Sequence, residues 1–64
     1  MALRLEKGPR GMDVYDERGE RRGYVQSNQD SFVARSPMGW LIGEYGSRHD
    51  AVEAVVGAGW RALS

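Results

Sequence analysis

Residues 31–58, SFVARSPMGWLIGEYGSRHDAVEAVVGA, combine two short β-prone runs, a turn sequence and one helical sequence. The runs Ser31–Arg35 and Trp40–Tyr45 contain the aromatic and β-branched residues that strands favour. Between them, Ser36–Gly39 places a proline and a glycine where a reverse turn needs a fixed φ and a tight exit. This stretch therefore predicts a β-hairpin that leads directly into a helix.

The predicted helix has a start signal after Gly46. The hydroxyl of Ser47 is suited to capping the first turn, and Asp50 at the third helical position is expected to reach back to the cap. A carboxylate at that position also suits the positive end of the helix dipole. We therefore expect Ser47 and Asp50 to form a reciprocal pair.

Helical spacing of apolar residues continues to the end of this stretch. One stripe contains Val52, Val55, Val56 and Gly59. The helix is expected to end near Ala58, with Gly59 as a left-handed stop. Beyond it, Trp60 and Leu63 would fold back onto the core or cover an edge of the sheet.

A second hairpin is predicted upstream. Its strands are Met12–Asp16 and Glu20–Ser27, and the turn begins at Asp16 with Gly19 three residues later, as a type I turn with a left-handed exit requires. Residues 1–11 place two apolar residues in alternation and end in a Gly-Pro-Arg-Gly breaker. They are expected to form an N-terminal arm or an edge strand.

Strands joined in sequence by short connections favour an antiparallel meander, and one helix can cover only one side of its sheet. The sequence thus predicts an α+β fold, in which a small antiparallel β-meander of three to four strands packs against one C-terminal α-helix. A chain of 64 residues has room for one core. Residues 12–64 are expected to form this single domain, and residues 1–11 its arm or edge strand.

Strand alternation sorts the side chains into two faces of the predicted sheet. The set expected to face the helix is Val14, Val25, Phe32, Leu41, Gly43 and Tyr45. The set expected on the opposite face is Tyr15, Arg22, Tyr24, Gln26, Val33, Arg35, Trp40, Ile42 and Glu44. At Gly43, the missing side chain would let Val52 or Val55 of the helix approach the backbone closely.

The opposite face mixes aromatic residues with arginine, a composition that is enriched where proteins bind partners. The alternative is that Trp40 and Ile42 belong to the core of a more barrel-like sheet and are covered by the N-terminal arm. A register slip of one residue would exchange the two sets. Both interpretations stay open at this point.

The charges balance, with nine basic and nine acidic residues. The chain therefore lacks the overall positive charge of a typical nucleic-acid binder. Eight of the nine basic residues are arginine, which suits phosphate and guanine contacts but also follows from a GC-rich genome. With no cysteine, no apolar run approaching about 20 residues and no signal-peptide pattern, a cytoplasmic protein without a membrane partner is expected.

The stretch from Ser31 to Ala58 resembles the second half of the sheet-plus-helix domains found in AP2-type transcription factors and in the arm-binding domains of phage integrases. The resemblance rests on the strand pattern of Ile42–Tyr45, on the polar cap Ser47 and on the alanine-rich helix. It covers less than half of the chain.

Domains of these two families read the DNA major groove with the sheet face opposite the helix. The resemblance therefore implies DNA-contacting roles for Arg22, Arg35 and Trp40. This chain departs from the family pattern in its neutral charge and in Glu44, which is expected on the same face.

The residue types of a hydrolytic triad occur in Ser47, His49 and Asp50, but within four consecutive positions at a helix start, where their side chains fan apart. His49 is the only histidine, and no carboxylate spacing suggests that it helps to bind zinc. The glycines near the N-terminus do not form a phosphate-binding loop that joins a strand to a helix. We expect no enzyme, and no metal or cofactor site.

The sequence predicts a small non-enzymatic binding module of phage or bacterial origin. Two partners have equal weight: DNA, bound through the opposite face and the basic arm, or a protein, including a second copy of the chain, bound through the same face. The predicted contact residues are Arg4, Lys7, Arg10, Arg22, Tyr24, Gln26, Arg35, Trp40 and Ile42. Arginines on such a surface supply both phosphate anchoring and base contacts.

Overall fold

The computed structural model describes residues 3–58, which form one antiparallel sheet and one helix. The strands are β1 (Arg4–Gly8), β2 (Gly11–Tyr15), β3 (Arg21–Ser27), β4 (Phe32–Arg35) and β5 (Leu41–Tyr45), and the helix α1 spans Arg48–Ala58. Each strand pairs with the next one along the chain, so the sheet order is the sequence order. The predicted α+β meander with a C-terminal helix is confirmed.

Two glycine turns connect the strands as the sequence predicts. The N–H of Gly19 donates to the carbonyl of Asp16 at 2.9 Å, and the φ of Gly19 is 82°. In the β4–β5 turn, the N–H of Gly39 donates to the carbonyl of Ser36 at 2.9 Å, and the φ of Gly39 is 94°. Both glycines occupy the left-handed region, which a residue with a side chain rarely adopts.

Within the predicted N-terminal arm, Arg4–Gly8 forms the edge strand β1 of the sheet. β1 pairs with β2 from Arg4 opposite Tyr15 to Gly8 opposite Gly11. The sheet therefore has five strands, one more than the upper end of the predicted range. A two-residue loop joins β1 to β2, so β1 extends the sheet directly at its edge.

The core lies between the helix and one face of the sheet. It consists of small residues that are less than a tenth exposed: Val14, Val25, Ala34, Ala51, Val52 and Val55. Phe32, Tyr45 and Val56 pack against this cluster and are half-buried. Burying one valine contributes about 1.5–3 kcal/mol. The free energy that stabilises this thin core is therefore the sum of several modest contributions from single side chains.

Register shifts in the β2–β3 and β4–β5 pairs interrupt the alternation of the sheet. In the second, Ala34 pairs with Gly43 but its neighbour Arg35 pairs with Leu41, so β5 carries one extra residue. The prediction for two side chains was therefore wrong. Leu41, expected toward the helix, is 65% exposed, and Ile42, expected on the opposite face, packs against the core.

The close approach of helix and sheet occurs at Gly23 rather than at Gly43. A Cβ atom on Gly23 would clash with the carbonyl of Arg35 and lie 2.9 Å from Cγ1 of Val55. Gly43 does lie on the helix side of the sheet. However, its nearest neighbour would be the ring of Tyr45, with Oη at 2.7 Å, and not a helix valine.

The sheet face away from the helix is partly closed as well. Tyr24 and Val33 lie on this face, as predicted, but are only 3% and 8% exposed. The guanidinium of Arg21 lies 5.5 Å from the centroid of the Tyr24 ring, and Gly39 lies next to the Tyr24 hydroxyl. A position on the outer face is therefore not by itself an accessible position.

The helix begins with the predicted cap, since the N–H of Asp50 donates to Oγ of Ser47 at 3.1 Å. The reciprocal pair was wrong, because within residues 3–58 the carboxylate of Asp50 makes no hydrogen bond back to Ser47. It lies instead 3.9 Å from Nδ1 of His49. The cap thus depends on the hydroxyl alone.

The helix extends to Ala58, where the sequence predicted its end. The predictions for Gly59, Trp60 and Leu63 lie outside the described residues. In the part of the chain that the structure describes, no helix has the length and apolar character needed to cross a membrane.

Candidate functional site

Four of the nine predicted contact residues meet at one end of the sheet. Lys7, Arg10, Gln26 and Arg35 line a cleft of about 580 Å³, and Arg48 at the start of α1 lines it with them. We call this the basic cleft. The β1–β2 hairpin, β3, β4 and the helix start each contribute a side chain, so the cleft exists only in the folded chain.

Hydrogen bonds to neutral groups fix the inner wall of the basic cleft. Nε of Arg35 donates to Oε1 of Gln26 at 2.9 Å, and Nη1 of Arg35 donates to the carbonyl of Gly39 at 3.0 Å. In turn, Nε2 of Gln26 donates to the carbonyl of Arg10 at 3.0 Å. The half-buried guanidinium of Arg35 is therefore held in place by neutral acceptors, and its positive charge is not compensated.

Three of the four arginines in residues 3–58 that do not line the cleft have carboxylate partners. The ion pairs join Arg4 to Glu6 at 2.9 Å, Arg21 to Asp13 at 3.2 Å, and Arg22 to Asp16 at 3.5 Å. By contrast, no carboxylate in residues 3–58 lies within 4.0 Å of the charged nitrogens that line the cleft.

No Asp or Glu side chain of the described residues lines the basic cleft. Asp13 lies beside Gly8 at the edge of the cleft and is paired with Arg21. A chain of zero net charge therefore carries a locally positive cleft, because its acidic residues are elsewhere or already paired. Such a cleft is suited to binding an anionic group.

The chain has no significant match to a protein-family model, a curated protein or a solved structure. The resemblance to AP2-type and integrase arm-binding domains thus stays a prediction from residues in β5 and α1. The chemistry of the basic cleft has to be inferred from its own residues.

Two other predicted contact residues, Arg4 and Arg22, are held away from the cleft. Arg4 pairs with Glu6, and its guanidinium lies 4.7 Å from the ring centroid of Tyr15. Arg22 pairs with Asp16, and only 23% of its side chain is exposed. Because their own carboxylates compensate their charge, both are less suited to binding an anion than the cleft residues.

The β4–β5 turn and the first residue of β5 carry the most exposed apolar side chains of the described residues. Met38, Trp40 and Leu41 are 68%, 64% and 65% exposed. Trp40 precedes β5 rather than belonging to it. Its main-chain N–H donates to Oγ of Ser36 at 3.0 Å. Trp40 is therefore accessible, as an interface residue must be, whereas Ile42 next to it packs against the core.

Sequence reasoning missed Arg48, although a signal was present. A helix start favours acidic residues because its dipole is positive there, so an arginine in the first turn is unfavourable for the helix alone. Its position becomes informative only in the folded chain, where Arg48 lines the same cleft as Lys7.

A second overlooked group lies on the first turns of α1. One ligand atom each of His49, Asp50 and Glu53 lies within 4.8 Å of the others, and Nε2 of His49 is 3.6 Å from the Glu53 carboxylate. The spacing of four residues between His49 and Glu53 predicts this contact. All three are exposed, and an exposed group of this kind on one helix is not by itself a metal site.

Asp16 is the group whose acidity the fold changes most clearly. The N–H groups of Glu20 and Arg18 donate to its Oδ1, both at 2.9 Å. These bonds, and the positive charges of Arg22 and Arg18 nearby, hold the pKa of Asp16 below its ordinary value of 3.8. Asp16 is at the opposite end of β2 from the basic cleft, so this effect concerns the turn and not the site.

Proposed function

We propose that the domain is a small non-enzymatic, cytoplasmic binding module that engages DNA through the basic cleft. The observation that carries the proposal is the meeting of Lys7, Arg10, Arg35 and Arg48 in one cleft without a carboxylate among its described lining residues. Phosphate groups are the DNA feature that such cations bind, and they supply most of the sequence-independent affinity.

The cleft residues divide into one fixed and three adaptable cations. Arg35 is half-buried and held by two hydrogen bonds, so its remaining N–H groups have a defined direction for a phosphate oxygen. Lys7, Arg10 and Arg48 are exposed and can adjust to successive phosphates along a strand. Fixed and adaptable contacts together favour an extended polyanion over a single small anion.

The exposed Trp40 supports the same proposal. It follows Gly39, whose carbonyl accepts a hydrogen bond from Arg35, so the turn that carries the indole is attached to the wall of the basic cleft. An accessible aromatic ring beside a positive groove is the combination that stacks on unpaired or flipped bases.

The test is a titration of a fluorescent duplex and of the matching single strand at several salt concentrations. Arg10→Gln and Arg48→Gln should each weaken binding and lower the slope of log K against log salt by about one, as loss of a phosphate contact does. Arg18→Gln is the matched control. It removes the same charge at the exposed tip of the β2–β3 hairpin, at the other end of β2, and should leave both quantities unchanged.

Absence of binding to either DNA at low salt would contradict the proposal. So would equal losses of affinity in Arg18→Gln and Arg10→Gln, because the interaction would then follow overall charge and not the cleft.

A protein partner is a second candidate, and the exposed side chains of Met38, Trp40 and Leu41 favour it. Three neighbouring apolar side chains, each about two-thirds exposed, resemble the apolar centre of an interface more than an ordinary solvated turn. The partner protein would contribute an apolar surface, and its binding would not involve the basic cleft.

Photo-crosslinking in cells tests this candidate, with a photoreactive residue at position 40 and a control at position 18. A discrete crosslinked protein obtained from position 40 and missing from position 18 would support it. The same set of products from both positions would contradict it.

A further inference from the structure

The outer edge of β1 is free in the described part of the chain. β1 is the first strand of the sheet and pairs only with β2 on its inner side. Its main-chain groups on the other side therefore lack strand partners within residues 3–58. An open edge of five residues can pair with another extended strand.

The register of the β1–β2 hairpin shows which residues direct their main-chain groups outward. A two-residue loop joins Gly8 and Gly11, which therefore form a hydrogen-bonded pair. Hydrogen-bonded and non-hydrogen-bonded residue pairs alternate along a hairpin. The main-chain groups of Glu6 and Arg4 therefore also form hydrogen bonds with β2. The N–H and C=O groups of Leu5, and of Lys7, then point away from the sheet.

The charges on β1 are self-complementary in one antiparallel register. If two copies pair with Leu5 opposite Leu5, Arg4 of each copy lies opposite Glu6 of the other. Leu5 is also the residue with outward main-chain groups, so this register gives a hydrogen-bonded pair at the centre. Charges on an edge usually discourage pairing, but here one register turns them into two attractive cross-strand pairs.

An apolar groove lies along the same edge. Leu3, Leu5 and Val52 line a space of about 400 Å³ between β1 and the start of α1, together with Arg48 and His49. Leu3 and Leu5 remain 40% and 39% exposed. In the proposed register, Leu5 of one copy extends this groove across the edge into the other copy, so pairing covers apolar surface as well as main-chain groups.

We propose that two copies of this chain associate through antiparallel pairing of their β1 strands, about a two-fold axis at Leu5. The sheets then join into one continuous sheet with both helices on the same face. The inference does not rest on DNA binding, although Lys7 and Arg48 border both the β1 edge with its apolar groove and the basic cleft. It also supplies additional burial to a small core.

Charge reversal on β1 tests the proposal by sedimentation of the full chain. The wild type should sediment at twice the monomer mass of 7.1 kDa at high micromolar concentration. Arg4→Glu and Glu6→Arg should each raise the dissociation constant of the dimer about tenfold or more, because both cross-strand pairs become repulsive. Arg18→Glu, a reversal at the β2–β3 tip, should leave it unchanged.

Mixing the two reversed variants separates pairing between chains from effects within one chain. Each variant alone repels itself, because positions 4 and 6 then carry the same charge. In a mixed dimer, the two acidic side chains of the Arg4→Glu variant would face the two basic side chains of the Glu6→Arg variant. The equimolar mixture should therefore recover the dimer, although neither component has the native Arg4–Glu6 ion pair within its own strand.

A main-chain variant provides an independent test. Leu5→Pro removes an N–H that faces outward, so circular dichroism should stay native-like while the dimer is lost. A wild type that is monomeric at several hundred micromolar, a mixture that stays monomeric, or a Leu5→Pro variant that is folded and dimeric would each overturn the proposal. Open-ended growth with concentration would also overturn it, because that requires β1 to pair with β5 of the next copy.

Discussion

Gly23 and Gly43 both lie on the helix side of the sheet, but a side chain at each would meet different neighbours. At Gly23 it would meet the carbonyl of Arg35 and Cγ1 of Val55, both part of packed elements, and the backbone φ there is 152°. At Gly43 its three nearest neighbours would be outer atoms of the Tyr45 side chain, and none of them a main-chain atom.

We therefore expect Gly23→Ala to lower the free energy of unfolding by about 1–3 kcal/mol, through strain and overpacking. The matched change Gly43→Ala should alter it by less than about 1 kcal/mol, since the lower entropy of the unfolded chain offsets the movement of Tyr45. Urea unfolding of both variants measures the difference. Equal losses would show that the helix approaches both glycines alike.

Asp16 makes the stability of the β2–β3 turn depend on pH. Because folding lowers the pKa of this carboxyl below 3.8, its contribution is fully present above that value and is lost as the pH falls through the folded pKa. Asp16→Asn should remove this dependence, so its unfolding free energy should fall less steeply than that of the wild type as the pH is lowered from neutral into the acid range. Parallel curves for the two proteins would contradict the role of Asp16.

At the scale of single elements, the start of α1 depends on one side-chain hydrogen bond. Ser47→Ala removes the acceptor of the Asp50 N–H and should cost about 1 kcal/mol of stability. Asp50→Asn should cost less, because its carboxylate makes no hydrogen bond to the cap within the described residues. Thermal unfolding of the two variants measures which one loses more stability. A larger loss for Asp50→Asn than for Ser47→Ala would contradict the prediction.

Some elements were predictable because their signal is local. The turns at Gly19 and Gly39 need a left-handed residue, and the helix start needs a hydroxyl, so a few neighbouring residues determine each of them. The extra residue of β5 was not predictable, since apolar alternation looks the same with and without a bulge. That single residue explains why Leu41 and Ile42 were placed on the wrong faces.

The candidate site was also only partly predictable, because some of its features depend on contacts between distant parts of the chain. Lys7, Arg10, Gln26 and Arg35 were expected to bind a partner, and all four line the basic cleft. The burial of Tyr24 and the ion pair of Arg22 depend on contacts across strands. The contribution of Arg48 depends on how the helix start is placed against the sheet, and no local pattern in the sequence specifies that placement.

At the scale of the whole molecule, the cations of the basic cleft lack carboxylate partners within residues 3–58, whereas Arg4, Arg21 and Arg22 are paired. This arrangement predicts that polyanions stabilise the folded state. A DNA strand present at about one hundred times its dissociation constant would stabilise the folded state by about 2.7 kcal/mol. For a domain of this size, that corresponds to a rise in Tm of roughly 10 °C or more. The double variant Arg10→Gln/Arg48→Gln should show a much smaller rise in the same thermal scan.

An equal rise for the wild type and the double variant would show that the stabilising anion binds outside the basic cleft. An uncharged polymer at the same mass concentration provides the control for crowding, which stabilises compact states only weakly.

The sequence-ordered sheet also sets the order in which the chain can fold. Each strand pairs with the next one synthesised, so successive hairpins can form through short loop closures, which favours fast folding. The helix is the last of the described elements, although it covers Val14, Val25 and Ala34 of the earlier strands. A nascent chain that ends before Arg48 would therefore display an uncovered apolar sheet, and synthesis of the helix is the step that closes the core.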